Sequence, residues 1–195
     1  MSSGLPFITI VSVVPRSGTS LMMQMLAAGG LPPLIDDQRP PDPSNPRGYY
    51  EFEPVKRLRL DSSWLDQARG RAVKIIHLLL RELPTDGRFN YRVLMMRRPL
   101  EAIIASQGAM LERQGKKGAP AEVLKPTYEA QLRDVQSWLS KYDCFRSMDV
   151  DYDELLSQPL ETARSVDAFV DGGLDVSAMA AAVNPSLRHH STGDS

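Results

Sequence analysis

The chain opens on Phe7-Ile-Thr-Ile-Val-Ser-Val-Val14, an almost unbroken run of apolar and β-branched residues. Such a run suits a central strand covered on both faces. Pro15-Arg-Ser-Gly-Thr-Ser20 interrupts it. Strong helix formers follow over Leu21–Ala28 and stop at Gly29-Gly30. The predicted order is therefore strand, tight loop, helix. Residues 31–48 hold six prolines, at 32, 33, 40, 41, 43 and 46, and read as an irregular surface loop. Gly48-Tyr-Tyr-Glu-Phe-Glu53 reads as a short extended piece. Pro54 then opens a basic helix, because proline is tolerated in a first helical turn.

Arg71–His77 is predicted as a second strand and Tyr91–Met96 as a third. Pro99 opens a helix whose Leu100, Ile103, Ile104, Met110 and Leu111 recur at helical spacing, ended by Gly115-Lys-Lys-Gly118. A long helix is expected over about 120–141, with Tyr128, Leu132, Val135 and Leu139 on one stripe. Cys144–Val150 is the fourth strand, and short helices follow at about 151–157, 159–170 and 175–183. The polar stretch from Pro185 is expected to be a flexible tail. Strands alternating with helices imply an α/β fold, with a mainly parallel sheet of about 4–5 strands and helices on both faces. The length is that of a single domain spanning 1–195.

Composition narrows the function classes. With 42% hydrophobic and 24% charged residues the chain has material for a real core. A formal charge of −1 offers no global basic field for nucleic acid. The charge is uneven, though: residues 47–98 carry 12 Lys/Arg against 6 Asp/Glu, and residues 143–175 carry 9 acids against 2 Arg. The first segment is suited to feed an anion site. One cysteine, Cys144, allows no intrachain disulfide and no Cys-cluster metal site. Phe7–Val14 falls far short of the roughly 20 residues of a membrane span. It also lacks signal-peptide flanks, so the chain reads as cytoplasmic.

Two segments carry chemistry. In Pro15-Arg16-Ser17-Gly18-Thr19-Ser20, the loop leads straight into a helix N-terminus, whose outward N–H groups and dipole attract anions. Gly18 permits close backbone approach, Thr19 and Ser20 add hydroxyls, and Arg16 adds a permanent forked cation. A plain capped strand-to-helix turn is the bland alternative. The loop departs from the pattern of a metal–triphosphate site, because no Lys follows Gly18. In Arg97-Arg98-Pro99-Leu-Glu-Ala-Ile-Ile-Ala-Ser106, Arg98 ends the third strand and Ser106 lies two turns into the next helix. Ligands of open α/β sheets bind at strand carboxyl ends, so this pair suits a second phosphate.

These segments together resemble the PAPS-dependent sulfotransferase superfamily, and within it the small bacterial sulfotransferase-like proteins. Residues 15–20 resemble the family's 5′-phosphosulfate loop in its Arg-containing variant. Arg98 and Ser106, eight apart, match its 3′-phosphate pair. Asn45-Pro-Arg-Gly-Tyr-Tyr-Glu-Phe-Glu-Pro54 resembles a segment of bacterial members, and Val150-Asp-Tyr-Asp-Glu-Leu-Leu156 with Pro159 resembles the late strand-to-helix signature. The resemblance spans about residues 7–170. It implies a P-loop NTPase-like three-layer fold, with residues 31–66 as a proline-rich, acceptor-side insertion.

The activity implied is metal-independent, in-line transfer of a sulfuryl group from PAPS (3′-phosphoadenosine 5′-phosphosulfate), leaving 3′,5′-bisphosphoadenosine. The acceptor is a hydroxyl or amine of a small molecule, carbohydrate, lipid or peptide. Arg16, Ser17, Gly18, Thr19, Ser20, Arg98 and Ser106 are the implied cofactor-binding residues, with Arg188 the late candidate. Arg16 also stabilises the leaving group. Glu51 is the first choice of base, beside Glu53. His77 at the end of the second strand is the alternative. The family's Lys-Thr-His is Lys74-Ile-Ile-His77 here, one residue longer, which turns the side chain to the other face of a strand. A nucleotide- or partner-binding protein without catalysis is the runner-up, and a P-loop kinase or NTPase a more remote reading.

Overall fold

All five residues of β1 (Ile8–Ser12) are buried, as a continuous apolar run demands of a strand with a layer on each face. The computed structural model describes residues 7–12, 14, 17–36, 48–113 and 115–183. β1 pairs in parallel with β2 (Ala72–Lys74) on one side, through Thr9–Ala72 to Val11–Lys74. On the other side it pairs with β3 (Tyr91–Arg97), through Ile8–Tyr91 to Ser12–Met95. β4 (Phe145–Asp151) runs parallel to β3, from Tyr91–Phe145 to Arg97–Asp151. The order is β2-β1-β3-β4. The α/β architecture expected from the alternation is the one observed, with four strands.

Alternating strand residues divide the core into two layers. Ile8, Ile10, Val73, Tyr91, Val93 and Met95 face α3 (Ala121–Leu139) and a set of 3-10 turns, through Val135, Leu139, Leu65 and Leu80. Val11, Leu94 and Met96 face α1 (Thr19–Ala28), through Met22, Met25 and Leu26. The helices that follow β4 close the same layer: α4 (Tyr152–Ser157), α5 (Pro159–Phe169) and α6 (Val176–Ala181), with Leu155, Val166 and Met179 buried. The helix α2 (Leu100–Arg113) starts two residues past β3 and buries Ile103. Each such apolar side chain contributes about 1.5–3 kcal/mol when fully buried.

Three expectations change. The helix read after Pro54 is a single 3-10 turn, Glu53–Arg57. The N–H of Leu58, buried like Val55, donates to the Val55 carbonyl (3.1 Å), the three-residue bond of a 3-10 turn. The extended piece at residues 48–53 forms no strand, because Tyr50 takes a left-handed φ of 53°. The second strand stops at Lys74. The Ile75 N–H donates to the Val11 carbonyl (3.1 Å), but β1 ends at Ser12 and offers little further ladder. His77 therefore begins a 3-10 turn, His77–Glu82, instead of ending a strand. Within the proline-rich segment, Pro33 forms a parallel bridge to Ala72, and the Leu34 N–H donates to the Ala72 carbonyl (2.7 Å). Proline is tolerated there because the segment borders the sheet edge. The tail from Pro185 lies outside the described residues. Among the described residues no helix is long and apolar enough to cross a membrane.

Tyr91 gives the core an alkaline limit. It is wholly buried, stacks on Phe145 with ring centroids 4.7 Å apart, and donates its hydroxyl to the Pro84 carbonyl (3.1 Å). Burial pushes its phenol well above the ordinary value. An unfolded tyrosine ionises near pH 10. Stability is thus whole below that pH, and is lost as pH rises above it while the folded phenol stays neutral. Urea midpoints measured from pH 8 to 11 are expected to fall more steeply for the unmodified chain than for Tyr91→Phe. Equal slopes would show that this phenol does not set the limit.

Candidate functional site

The connection from β1 leads to β2 on one side of the sheet, and that from β3 leads to β4 on the other. A crevice opens at the carboxyl ends of strands where such connections diverge. Here it lies between the loop after β1 and the loop after β3.

The first loop ends on Gly18, whose φ is 94°. This left-handed conformation strains any residue with a Cβ. Gly18 is the N-cap of α1 and brings no side chain to cap it; its carbonyl accepts from the Met22 N–H (3.1 Å). The first-turn N–H groups of an α-helix have no partner inside the helix, and here they face the crevice mouth with the positive end of the dipole. Ser17 is fully buried and donates its hydroxyl to the Val14 carbonyl (2.8 Å), closing the loop from within. Thr19 is buried. Pro15 and Arg16 lie outside the described residues, as does Arg188.

Ser20 links three parts of the chain. Its hydroxyl lies 3.4 Å from the Tyr49 carbonyl, and the Lys74 ammonium donates to both Ser20 Oγ (3.3 Å) and the Tyr49 carbonyl (3.1 Å). Lys74 is the last residue of β2 and half-buried, so the strand delivers its ammonium to the first turn of α1. Sequence reasoning missed Lys74 as a site residue. Its signal was a lysine at the carboxyl end of the strand beside β1. The Tyr49 carbonyl anchors the segment carrying Glu51 two residues on. Glu51 is half-buried, whereas Glu53 is exposed and paired with Lys56 (2.7 Å). This separates the two candidate carboxylates: Glu53 belongs to a surface pair, Glu51 to the segment tied to the loop.

The two adjacent arginines are also separated. Arg97 pairs with Asp149 of β4 (2.9 Å). Arg98 lies over the ring of Tyr152, Cζ to centroid 4.8 Å. The same ring packs against the glycine of the β1–α1 loop: a Cβ placed on Gly18 would collide with Tyr152 Cδ2. Tyr152 is a second residue that sequence reasoning missed, although it stands in the quoted strand-to-helix segment. Ser106 is half-buried in α2, one turn beyond the buried Ile103 and on the same face.

His77 is 2% exposed, and its Nε2 pairs with Gln131 Oε1 of α3 (2.9 Å). It packs between the turn after β2 and α3 on the layer opposite α1. The structure thus gathers Gly18, Ser20, Lys74 and the Glu51 segment, and joins Arg98 to Gly18 through Tyr152; His77 is engaged elsewhere. Among the described residues no group of three or more His, Cys, Asp or Glu is placed to hold a metal ion.

This is the fold of bacterial sulfotransferases. It matches sulfotransferase STF1 from Mycobacterium tuberculosis H37Rv over 90% of this chain and 71% of that one, at 19% identity and a TM-score of 0.59. The sulfotransferase domain from the curacin biosynthetic pathway matches over 98% of this chain and 80% of that one, at 18% identity and a TM-score of 0.51. A sugar kinase from Janibacter sp. HTCC2649 aligns more loosely, at 14% identity over 93% of this chain and 98% of that one with a TM-score of 0.43. No protein-family model matches the chain, nor does the sequence of any curated protein.

Proposed function

We propose that the chain is a sulfotransferase that moves a sulfuryl group from PAPS to a hydroxyl or amine of an acceptor, with no metal, and releases 3′,5′-bisphosphoadenosine. The observation that carries this reading is a pair of cations, one from each side of the sheet, beside the β1–α1 loop. Lys74 is hydrogen-bonded onto the first turn of α1 on one side of Gly18. Arg98 is held on the ring that touches Gly18 from the other. A ligand with phosphates at two separated points fits such an arrangement, since each cation or helix terminus favours an anion. The fit also rests on Gly18 itself. A side chain there would collide with Tyr152, so glycine is what lets that ring pack against the loop. The sulfotransferase fold supports the same reading.

In this reading the first turn of α1, with Ser17, Gly18, Thr19, Ser20 and Arg16, holds the 5′ end of the donor. Arg98 and Ser106 hold its 3′-phosphate, with Arg188, near the end of the sequence, as a further nucleotide-binding residue. The acceptor oxygen or nitrogen bonds to sulfur as the bridging S–O bond breaks in line. The acceptor's proton passes to the Glu51 carboxylate. The negative charge left on the departing phosphate is met by Lys74 and Arg16. The whole chain acts as one unit in the cytoplasm, with residues 31–66 shaping the acceptor side.

The burial of His77 against Gln131 favours keeping one other reading, because it leaves Glu51 as the principal base. In that reading the protein binds the nucleotide without turnover. Ligand-dependent melting tests the site, with EDTA present for every ligand except Mg-ATP. A ligand at 100 times its Kd adds about 2.7 kcal/mol, or about 5–11 °C for a chain of this size. 3′,5′-Bisphosphoadenosine is expected to give this rise, with AMP and Mg-ATP giving less. A larger rise with Mg-ATP would replace the proposal with a kinase or NTPase. Stabilisation by the bisphosphate without sulfate transfer from PAPS to any of a phenol, sugar, amine and peptide panel would favour the binding protein.

A further inference from the structure

The run Ile75-Ile-His-Leu-Leu-Leu80 carries the chain past the end of β2. Solvent alone would bury its aliphatic residues and leave the imidazole outside. At the centre of the run the structure does the reverse. His77 is 2% exposed, while Ile76 and Leu78 on either side of it are 39% and 49% exposed. The inversion is held in place. His77 Nε2 pairs with Gln131 Oε1 of α3 (2.9 Å). The Ile75 N–H donates to the Val11 carbonyl of β1 (3.1 Å), and the Ile76 carbonyl accepts from the Leu79 N–H (3.0 Å). A single exposed apolar residue is ordinary on a surface. Two large ones displayed around a buried imidazole break the pattern that folding alone would select, and such breaks concentrate at functional sites.

The position of this display assigns its use. Ile75 joins the layer beneath α3, and Ile76 follows in extended backbone, with ψ 148°. Alternation then sends Ile76 to the side of the sheet from which Lys74 leaves. The Lys74 ammonium reaches Ser20 Oγ in the first turn of α1 and the Tyr49 carbonyl, two residues before Glu51. In the proposed reaction the departing phosphate and the base both lie at Lys74, so the acceptor arrives beside Ile76. The next cation of the turn, Arg81, is directed to Asp134 of α3 (3.9 Å). What the chain offers the acceptor between Lys74 and Arg81 is hydrocarbon.

We infer that the acceptor carries its hydroxyl on a hydrocarbon frame and not on a sugar, and that Ile76 and Leu78 form the wall against which that frame lies. This rests on the proposed sulfuryl transfer and narrows its acceptor. The alcohol oxygen bonds to sulfur, the bridging S–O bond breaks with its electron pair on the departing phosphate, and the alcohol proton passes to Glu51. Ile76 and Leu78 touch none of the reacting atoms. They act through the apolar area that they and the acceptor remove from water, a contribution that grows with each methylene.

The test is kcat/KM for sulfate transfer from PAPS to 1-butanol, 1-hexanol and 1-octanol, beside methyl glucoside. Full burial of a methylene is worth about 0.8 kcal/mol, or about fourfold. A wall on one side gives about half that energy, or about twofold per methylene. kcat/KM is therefore expected to rise about 16-fold from 1-butanol to 1-octanol, and to exceed that for the glucoside. Ile76→Ser combined with Leu78→Ser is expected to flatten the series while the melting rise with 3′,5′-bisphosphoadenosine stays as in the wild type. Leu160→Ser, at a leucine of α5 with similar exposure (40%), is expected to keep the slope. A flat series in the wild type, a preference for the glucoside, or an equal loss of slope in Leu160→Ser overturns the inference and leaves the transferase standing. Bisphosphate binding without transfer to any of the four acceptors overturns the transferase reading and the inference with it. No bisphosphate binding at all overturns the nucleotide site beneath both. The wild-type slope needs no variant, and Ile76→Thr, closer in shape, replaces the serine pair should that pair fail to fold.

Discussion

Glu51→Gln is expected to lower sulfate transfer by about 10²–10⁴-fold while 3′,5′-bisphosphoadenosine binds as before. The substitution keeps the shape of the side chain and removes its capacity to take a proton. The 48–51 segment keeps its anchor in the variant, because the Tyr49 carbonyl is held by Ser20 and Lys74. Glu53 is the weaker candidate since it is exposed and paired with Lys56, so Glu53→Gln is expected to stay within a few-fold of wild type. His77→Gln keeps a side chain able to hydrogen-bond Gln131, and its expected effect is on melting more than on turnover. Chemical rescue makes the assignment specific. Formate added to Glu51→Ala replaces the missing base and is expected to restore part of the rate. If Glu51→Gln retained full activity while His77→Gln lost it, with rescue of His77→Ala by imidazole, the base would be His77.

β1 and β3 were legible as runs rich in apolar and β-branched residues, each followed by a proline, and β4 as a short alternating segment between two helical patterns. β1, β3 and β4 fall within two residues of their expected limits. The second strand was read four residues too long, three of them at its carboxyl end. Arg71–His77 has the composition of a strand, yet a strand needs a neighbour, and β1 runs out at Ser12. That fact is tertiary and no local pattern contains it. The turn after Pro54 shows the reverse case. Pro54 at a first-turn position suggested a helix, but proline opens a 3-10 turn equally well, and the chain leaves the turn after Arg57. In the site, the loop between β1 and α1 was legible from residue order alone. Lys74 and Tyr152 were not, because what brings them to Gly18 is strand order and register: β2 next to β1, and Asp151 opposite Arg97. The difference between Arg97 and Arg98 was equally hidden. Adjacent strand residues point to opposite faces, but which of them meets the carboxylate of Asp149 and which the ring of Tyr152 depends on β4.

The second large effect is expected at Lys74. Its ammonium reaches Ser20 Oγ at 3.3 Å and the Tyr49 carbonyl at 3.1 Å, and these contacts imply two separable roles. As a fixed cation at the mouth of α1, it meets charge that grows on the departing phosphate. Removing one such preorganised group typically costs about 10²–10³-fold in kcat. As a clamp on the Tyr49 carbonyl, it holds the Glu51 segment against the loop, and removing that role would raise KM and weaken acceptor binding. Lys74→Ala removes both roles. Lys74→Gln keeps a neutral donor able to reach the carbonyl and removes only the charge. The electrostatic role predominates if Lys74→Gln loses nearly as much kcat as Lys74→Ala with KM for the acceptor little changed, and that is the expected outcome. Recovery of most of kcat in Lys74→Gln would assign Lys74 to the clamp and leave Arg16 as the cation at the leaving group. Arg16→Ala under the same conditions is the complementary measurement, and a kcat equal to wild type in both Arg16→Ala and Lys74→Gln would remove cationic leaving-group stabilisation from the mechanism altogether.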